Sequence, residues 1–334
     1  MKKLIKLATV AMLCGLFAVF ATGCSSSSNS SVSSSGSSFS SIAEPEQKAV
    51  DLSSRYILVI GDDSWEDYKP GRADLMMLMR LDFQKHQISL VTVPRDTKYT
   101  TSDGTVEKLN QVYCDSGAAA QCKAVSEITG VEVSDYVCVG FDGLQSIVES
   151  FGGLNIDLPY SLDYSFYTKD YPNEQFEAGS QTLTPWRAAA LARTRTSYGD
   201  YNLDQDMMRQ LVNRRMMASL IGAAYADPSK TGSVLEALQG AIDTNISVDD
   251  QVAWANALAD GADEITIYGT SGPFDGDVDA ESNLFLVTYD PDNWHNLMSV
   301  VGEGDDPSAA TAVYAAALQS DRASVCETFK VSVK

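Results

Sequence analysis

The sequence predicts an α/β fold: a three-layer α-β-α domain around a central mixed sheet. Three observations lead there. Short apolar runs bounded by turn residues recur from Arg55 onward, as buried strands do. Segments with helical spacing of apolar residues alternate with those runs between Ala118 and Ala226. Such alternation is the pattern of a sheet covered by helices on both faces.

Arg55 to Ile60 is an apolar run closed by Gly61-Asp62-Asp63, a strand ending in a turn. Asp74 to Leu81 and Gln87 to Val93 are two further strands, joined by the polar turn Asp82 to His86. Ala118 to Thr129 reads as a helix with Gly130 as its stop. Tyr136 to Phe141 reads as a strand, after which Asp142 caps a helix whose Leu144, Ile147, Val148 and Phe151 fall on one face. Gly152-Gly153 ends that helix and Leu154 to Leu158 returns as a strand. Thr184-Pro185 opens the next helix, with proline at the first helical position. Asp204 to Ala226 is a long helix stopped by Asp227-Pro228, and Glu264 to Tyr268 could supply an edge strand.

The chain has 334 residues and a formal charge of −21, which argues against a nucleic-acid partner. The excess is uneven. From Gly222 onward only Lys230, Arg322, Lys330 and Lys334 are basic. The middle of the chain, where arginines cluster, is much closer to neutral.

Lys2, Lys3 and Lys6 precede the apolar run Leu4 to Phe20, which ends in Ala21-Thr22-Gly23-Cys24. A basic start, an apolar stretch and small residues before a cysteine read as an export signal, residues 1–23. Those last four residues resemble a lipoprotein box, which would make Cys24 the lipidated N-terminus. Ser25 to Ser41 is almost entirely serine, so residues 24–51 form a polar tether with nothing to bury. Residues 52–334 are then expected to form one extracytoplasmic domain, anchored by lipid to the outer face of the cell membrane, with an acidic C-terminal extension. Outside a reducing cytoplasm, the even set Cys114, Cys122, Cys138 and Cys326 predicts disulfides, Cys114 with Cys122 and Cys138 with Cys326.

The chemistry concentrates in two segments. The first holds Gly61-Asp62-Asp63-Ser64, Gly71-Arg72-Ala73-Asp74 and Pro94-Arg95-Asp96; the second holds Arg193-Thr194-Arg195 and Arg209. Guanidinium groups grip phosphate oxygens with a planar fork of donors. Paired carboxylates can hold the divalent ion that accompanies a pyrophosphate. Arg72 and Asp74 stand two apart at a strand start and so share one face. Arg95 follows a strand, where ligands of α/β sheets collect. Two arginines two apart on a helix would diverge by about 200°. The helix from Pro185 is therefore expected to end near Ala192, leaving Arg193 and Arg195 on an extended segment.

In this order the motifs resemble the signature of the LytR-CpsA-Psr (LCP) family, extracytoplasmic phosphotransferases that move glycopolymers from a polyprenyl pyrophosphate lipid onto the cell wall. The resemblance runs from about Arg55 to Ala224. It implies Mg²⁺ (or Mn²⁺) held by Asp63 and Asp74, and catalytic roles for Arg72, Arg95 and Asp63. Pyrophosphate contacts would come from Arg72, Arg95, Lys108, Arg193, Arg195, Arg209 and Asn213. Lys108-Leu109-Asn110 with Tyr113 is similar to the family's Lys-Ile-Asn segment. Two positions depart from the pattern: Trp65 stands near where many relatives carry arginine, and Asn213 replaces a glutamine. Arg214 and Arg215 are expected to be solvated or salt-bridged. The implied partners are an undecaprenyl-pyrophosphate-linked donor and a peptidoglycan acceptor. The implied enzyme is a Mg-dependent phosphotransferase with a side pyrophosphatase activity in prospect. The alternative is a lipid-anchored sensor that binds prenyl-linked precursors without turnover. Tyr160, Tyr164, Phe166, Tyr167 and Tyr171 suggest a cover over an apolar ligand or an aromatic plug. The methionines of the strands and the long helix are expected in the core, some bordering a prenyl groove.

Overall fold

A seven-stranded mixed sheet, whose strands lie in the order Ile242–Thr244, Asp135–Val139, Arg55–Asp62, Ala73–Asp82, Gln87–Thr92, Glu264–Ser271 and Glu327–Ser332, carries the site. The computed structural model describes residues 51–64, 71–159, 161–164, 174–194, 205–227, 240–310 and 326–333. The predicted signal, Cys24, Trp65, Arg195 and the side chains of the Tyr160–Tyr171 aromatic cluster lie outside the described residues.

The first half of the chain supplies β1 (Arg55–Asp62), β2 (Ala73–Asp82), β3 (Gln87–Thr92), β4 (Lys98–Thr100), β5 (Val106–Lys108), α1 (Gln111–Thr129), β6 (Asp135–Val139) and α2 (Phe141–Phe151). Then come β7 (Leu154–Leu158), β8 (Leu162–Tyr164), β9 (Glu174–Phe176), β10 (Gly179–Leu183), α3 (Pro185–Arg193) and α4 (Gln205–Ala226). The acidic C-terminal third adds β11 (Ile242–Thr244), α5 (Val248–Ala259), β12 (Glu264–Ser271), β13 (Gly276–Val278), β14 (Phe285–Val287), α6 (Pro291–Glu303) and β15 (Glu327–Ser332).

Side chains alternate across a strand, and here the alternation separates two cores. Leu58, Ile60, Met76, Leu78 and Val91 face a core shared with α1 and with Trp294 and Leu297 of α6. Ile57, Val59, Met77, Met79, Ile88 and Leu90 face the other, closed by Ile221 and Tyr225 of α4 and by Trp254 and Leu258 of α5. The result is the three-layer α-β-α arrangement. β1 pairs antiparallel with β2 and parallel with β6, while β3 pairs antiparallel with β2 and parallel with β12.

Several expectations need correction. α1 begins at Gln111 rather than Ala118, because Gly117, at φ 78°, interrupts the helix without ending it. β6 stops at Val139, and Phe141 is already helical. Gly140, not Asp142, occupies the cap position of α2; Asp142 sits in its first turn. β12 is an interior strand, because β15 pairs along its outer side.

No disulfide joins the four described cysteines. Cys114 and Cys122 fall on either side of the Gly117 kink in α1, and no bridge joins them. A disulfide needs Cα atoms within about 7 Å. Cys138 lies on β6 and Cys326 beside β15, five steps across the sheet at about 4.8 Å each. Neither expected bridge is formed in this fold.

Candidate functional site

The site forms beyond the carboxyl ends of β1 and β3, where the chain leaves each strand for a loop. At the end of β1, Asp62 Oδ1 accepts hydrogen bonds from the Ser64 amide (2.8 Å) and hydroxyl (2.7 Å). The Gly71 amide donates to Ser64 Oγ at 2.9 Å. A Cβ on Gly71 would fall 2.1 Å from Asp62 Oδ1 and 2.4 Å from the Ser64 nitrogen, so only glycine permits this approach. The Asp63 carboxylate then accepts from the Arg72 amide at 2.5 Å, and the Asp63 amide donates to Arg72 O at 3.2 Å. The Gly61–Ser64 turn and the start of β2 are thereby fixed together.

After β3, the Pro94–Thr97 turn is joined to the segment before α1. The Asn110 amide donates to Arg95 O at 3.2 Å and the Leu109 amide to Thr97 O at 2.9 Å. Lys108 Nζ meets Asp96 at 2.8 Å. Asn110 also donates its side-chain nitrogen to Asp74 Oδ1 at 3.2 Å.

Asp74, Arg95, Asp206 and Arg209 form a ring of alternating charge. One nitrogen of Arg95, Nη1, lies 2.7 and 2.8 Å from the two Asp74 oxygens, and its Nε lies 3.5 Å from Asp206. Arg209 places Nη2 2.7 Å from Asp206 Oδ1 and Nη1 3.4 Å from Asp74 Oδ2. The same Nη2 donates to the Asp74 carbonyl at 2.7 Å. Burial raises the Asp74 carboxyl, but Arg209 and Arg95 outweigh it and leave its pKa lowered. Burial lowers the Arg95 pKa, and Asp74, Asp206 and Asp96 more than restore it. Asp63 differs: burial raises its pKa, the Arg72 amide opposes, and the charges of Asp74 and Asp62 add to the rise.

The structure thus gathers Asp74, Arg95 and Arg209, with Asp63 within electrostatic reach of Asp74 and Lys108 attached through Asp96. Arg72 stands exposed at the rim, its Nε donating to Gln111 Oε1 at 2.7 Å. Arg193 is the last residue of α3, one position beyond the expected end, and Thr194 after it is extended (φ −63°, ψ 128°). The Arg193 guanidinium stacks over Phe141 at 4.6 Å. Asn213 is buried and donates to Ala192 O at 3.3 Å, tying α4 to the end of α3. Arg215 is salt-bridged to Glu327 and Asp157, whereas Arg214 is fully buried and donates to Thr92 Oγ1 at 2.8 Å.

Sequence reasoning missed Asp206, Gln111 and Phe141. Asp206 had a readable signal: it stands one helical turn before Arg209, a spacing at which opposite charges pair.

Residues 22–295 match the model of the LytR_cpsA_psr family. The chain is 27% identical over 205 residues to a polyisoprenyl-teichoic acid–peptidoglycan teichoic acid transferase, TagU, of Halalkalibacterium halodurans. That match covers 60% of this chain and 65% of the relative, just under two thirds of its length. In fold the chain is similar to the crystal structure of Bacillus subtilis TagV, with a TM-score of 0.63 at 21% identity over 76% of this chain and 97% of that one. It is also similar to TagT bound to LI-WTA, with a TM-score of 0.59 at 14% identity over 77% and 94% of the two chains. With a family model spanning most of its length, the chain belongs to the LytR_cpsA_psr family.

Proposed function

We propose that this chain transfers a glycopolymer phosphate from an undecaprenyl-pyrophosphate-linked donor to a sugar hydroxyl of peptidoglycan. The observation that carries the reading is the clustering of Arg95 and Arg209 with Asp74, beside a carboxyl at Asp63 whose pKa is raised. Similarity to transferases named for a polyisoprenyl-linked donor and a peptidoglycan acceptor supports both partners.

Mg²⁺ or Mn²⁺ fits the residues present. Hard oxygen ligands suit these ions, and Mg²⁺ commonly takes one or two carboxylates together with substrate phosphates. Asp63 commits one oxygen to the Arg72 amide, and its other has no partner among the described residues. At Asp74 Oδ2 the Arg209 hydrogen bond is long, 3.4 Å, and open to displacement by a cation. Asp63 and Asp74 would therefore hold the ion, which when bound would neutralise pyrophosphate charge.

Arg72, Arg95, Arg193 and Arg209 would balance the remaining charge, together with Lys108 and Arg195. The acceptor hydroxyl oxygen attacks the polymer-bearing phosphorus, and the bond from that phosphorus to the bridging oxygen breaks. Undecaprenyl phosphate leaves, and the hydroxyl proton passes to Asp63 or to water. With water as acceptor, the same step would give the side pyrophosphatase activity. Catalysis rests on positioning and charge stabilisation.

Residues 1–51 would deliver the domain outside the membrane on a lipidated Cys24. Cys24→Ala should release the protein or leave its signal uncleaved; unchanged processing and membrane retention would refute the anchor. For the activity itself, the full chain is incubated with a polyprenyl-pyrophosphate-linked donor and peptidoglycan fragments, with and without EDTA. Metal-dependent polymer attachment is expected. Donor binding without turnover at any metal concentration would favour the sensor instead.

A further inference from the structure

Arg209 is shared unequally between its two carboxylates: 2.7 Å from Asp206 and 3.4 Å from Asp74. Asp206 is the inner member of the ring, its side chain 9% exposed against 22% for Asp74. It is held in place from the opposite side. Gln210 Nε2 donates to Asp206 Oδ2 at 3.1 Å, while Gln210 Oε1 accepts from Thr92 Oγ1 (2.8 Å) and Ser271 Oγ (3.0 Å). Thr92 ends β3 and Ser271 ends β12, so two neighbouring strands of the sheet fix the amide's orientation. Thr92 Oγ1 in turn accepts from the buried Arg214 at 2.8 Å. The chain Thr92–Gln210–Asp206–Arg209 therefore links the sheet to the site through a series of buried hydrogen bonds.

We propose that Asp206, oriented by Gln210, is a positioning residue that keeps the Arg209 contact to the Asp74 carboxylate long, while Arg209 stays anchored on the Asp74 carbonyl, and so keeps that carboxylate accessible to a divalent cation. A carboxylate has about four lone-pair sites. Arg95 Nη1 takes one on each oxygen of Asp74 and Asn110 takes a second on Oδ1. The fourth, on Oδ2, meets only the long 3.4 Å hydrogen bond from Arg209 Nη1, which a cation can displace while Asp206 holds that guanidinium back. Removing the Asp206 charge leaves Arg209 with one anionic partner in the ring, Asp74, and the guanidinium closes onto the oxygen that a metal would need. This rests on the metal reading of Asp63 and Asp74 given above.

The test is Mn²⁺ binding to the full chain, followed by electron paramagnetic resonance of the free ion, for wild type, Asp63→Ala, Asp206→Asn and Gln210→Met. Thermal melts accompany each variant. Wild type should bind Mn²⁺ and Asp63→Ala should abolish binding. Asp206→Asn should weaken binding by about tenfold, within the coupling range of groups in one ion-pair network. Gln210→Met keeps the charge but loosens it, and should weaken binding about threefold on the same grounds. A wild type that binds no Mn²⁺ overturns the metal reading and the inference with it. Wild-type binding lost in Asp63→Ala but unchanged in a folded Asp206→Asn overturns the positioning role alone. Should Asp206→Asn fail to fold, Gln210→Met decides, and wild-type affinity in that variant refutes the proposal.

Discussion

Arg95 meets Asp74 through a single nitrogen, Nη1, which lies 2.7 Å from one carboxylate oxygen and 2.8 Å from the other. Its Nε is turned toward Asp206 and Asp96, at 3.5 and 3.9 Å. The pair is therefore part of a partly buried charge ring rather than two independent phosphate and metal ligands. Removing one member disturbs the others.

Asp74→Ala illustrates this. The substitution leaves Arg95 and Arg209 short of an anion in a site where their side chains are 14% and 7% exposed. Breaking a buried pair by removing one partner costs about 3–5 kcal/mol. Calorimetry should show a clear drop in melting temperature along with loss of transfer. An unchanged melt would mean that the ring contributes nothing to folding.

Arg72 should behave in the opposite way. It is exposed, and its Nε donates to Gln111. Arg72→Ala should change stability by less than about 0.5 kcal/mol. Loss of a charge-stabilising donor should slow transfer on the order of a hundred- to a thousandfold. A variant that melts normally and transfers at the wild-type rate would remove Arg72 from the site.

The pH dependence separates the two carboxyls. Asp63 has a folded pKa above its ordinary 3.8, first through burial, so the folded state binds its proton more tightly and stability falls as pH rises through that window. Asp63→Asn keeps the oxygen facing the Arg72 amide and removes the charge. It should raise the melting temperature at neutral pH and change it little near about pH 3, where the wild-type group is protonated. Asp74 has the opposite sign: its stabilisation is present above 3.8 and is lost as pH falls through its lowered folded value. Melts of both variants across this range check the assignment.

Gly71→Ala tests the turn. The added Cβ would meet the Ser64 nitrogen at 2.4 Å, a backbone contact that cannot rotate away. Overpacking of this kind costs about 1–3 kcal/mol, and displacement of the adjoining Arg72 should lower activity as well. Wild-type stability would show that the turn has room.

With no disulfide joining Cys114, Cys122, Cys138 and Cys326, reductant should leave the melting temperature unchanged. Alkylation of denatured, unreduced protein should label all four. A protected pair would contradict the cysteine geometry.

Much of the fold was legible because β1, β2 and β3 are short apolar runs ended by recognisable turns. The outer sheet was not. β15 alternates exposed and half-buried residues at Glu327 to Lys330, and its role appears only when it pairs with β12. β12 was read as an edge strand, and only its pairing with β15 puts it inside the sheet. The expected disulfides came from counting cysteines, and a count says nothing of the kinked α1 helix that carries two of them. Asp63, Asp74 and Arg95 were found by motif, whereas Asp206 lies outside any motif and acts through tertiary contacts. Phe141 was read as strand, so its stacking on Arg193 could not be anticipated.

The most direct test measures undecaprenyl phosphate release and polymer attachment to peptidoglycan fragments together, in wild type and in Asp63→Ala, across a Mg²⁺ titration. The account predicts one lipid phosphate released per polymer attached in wild type, dependent on the metal, and neither product in a folded Asp63→Ala. Attachment that persists in EDTA, or at the wild-type rate in Asp63→Ala, would contradict it.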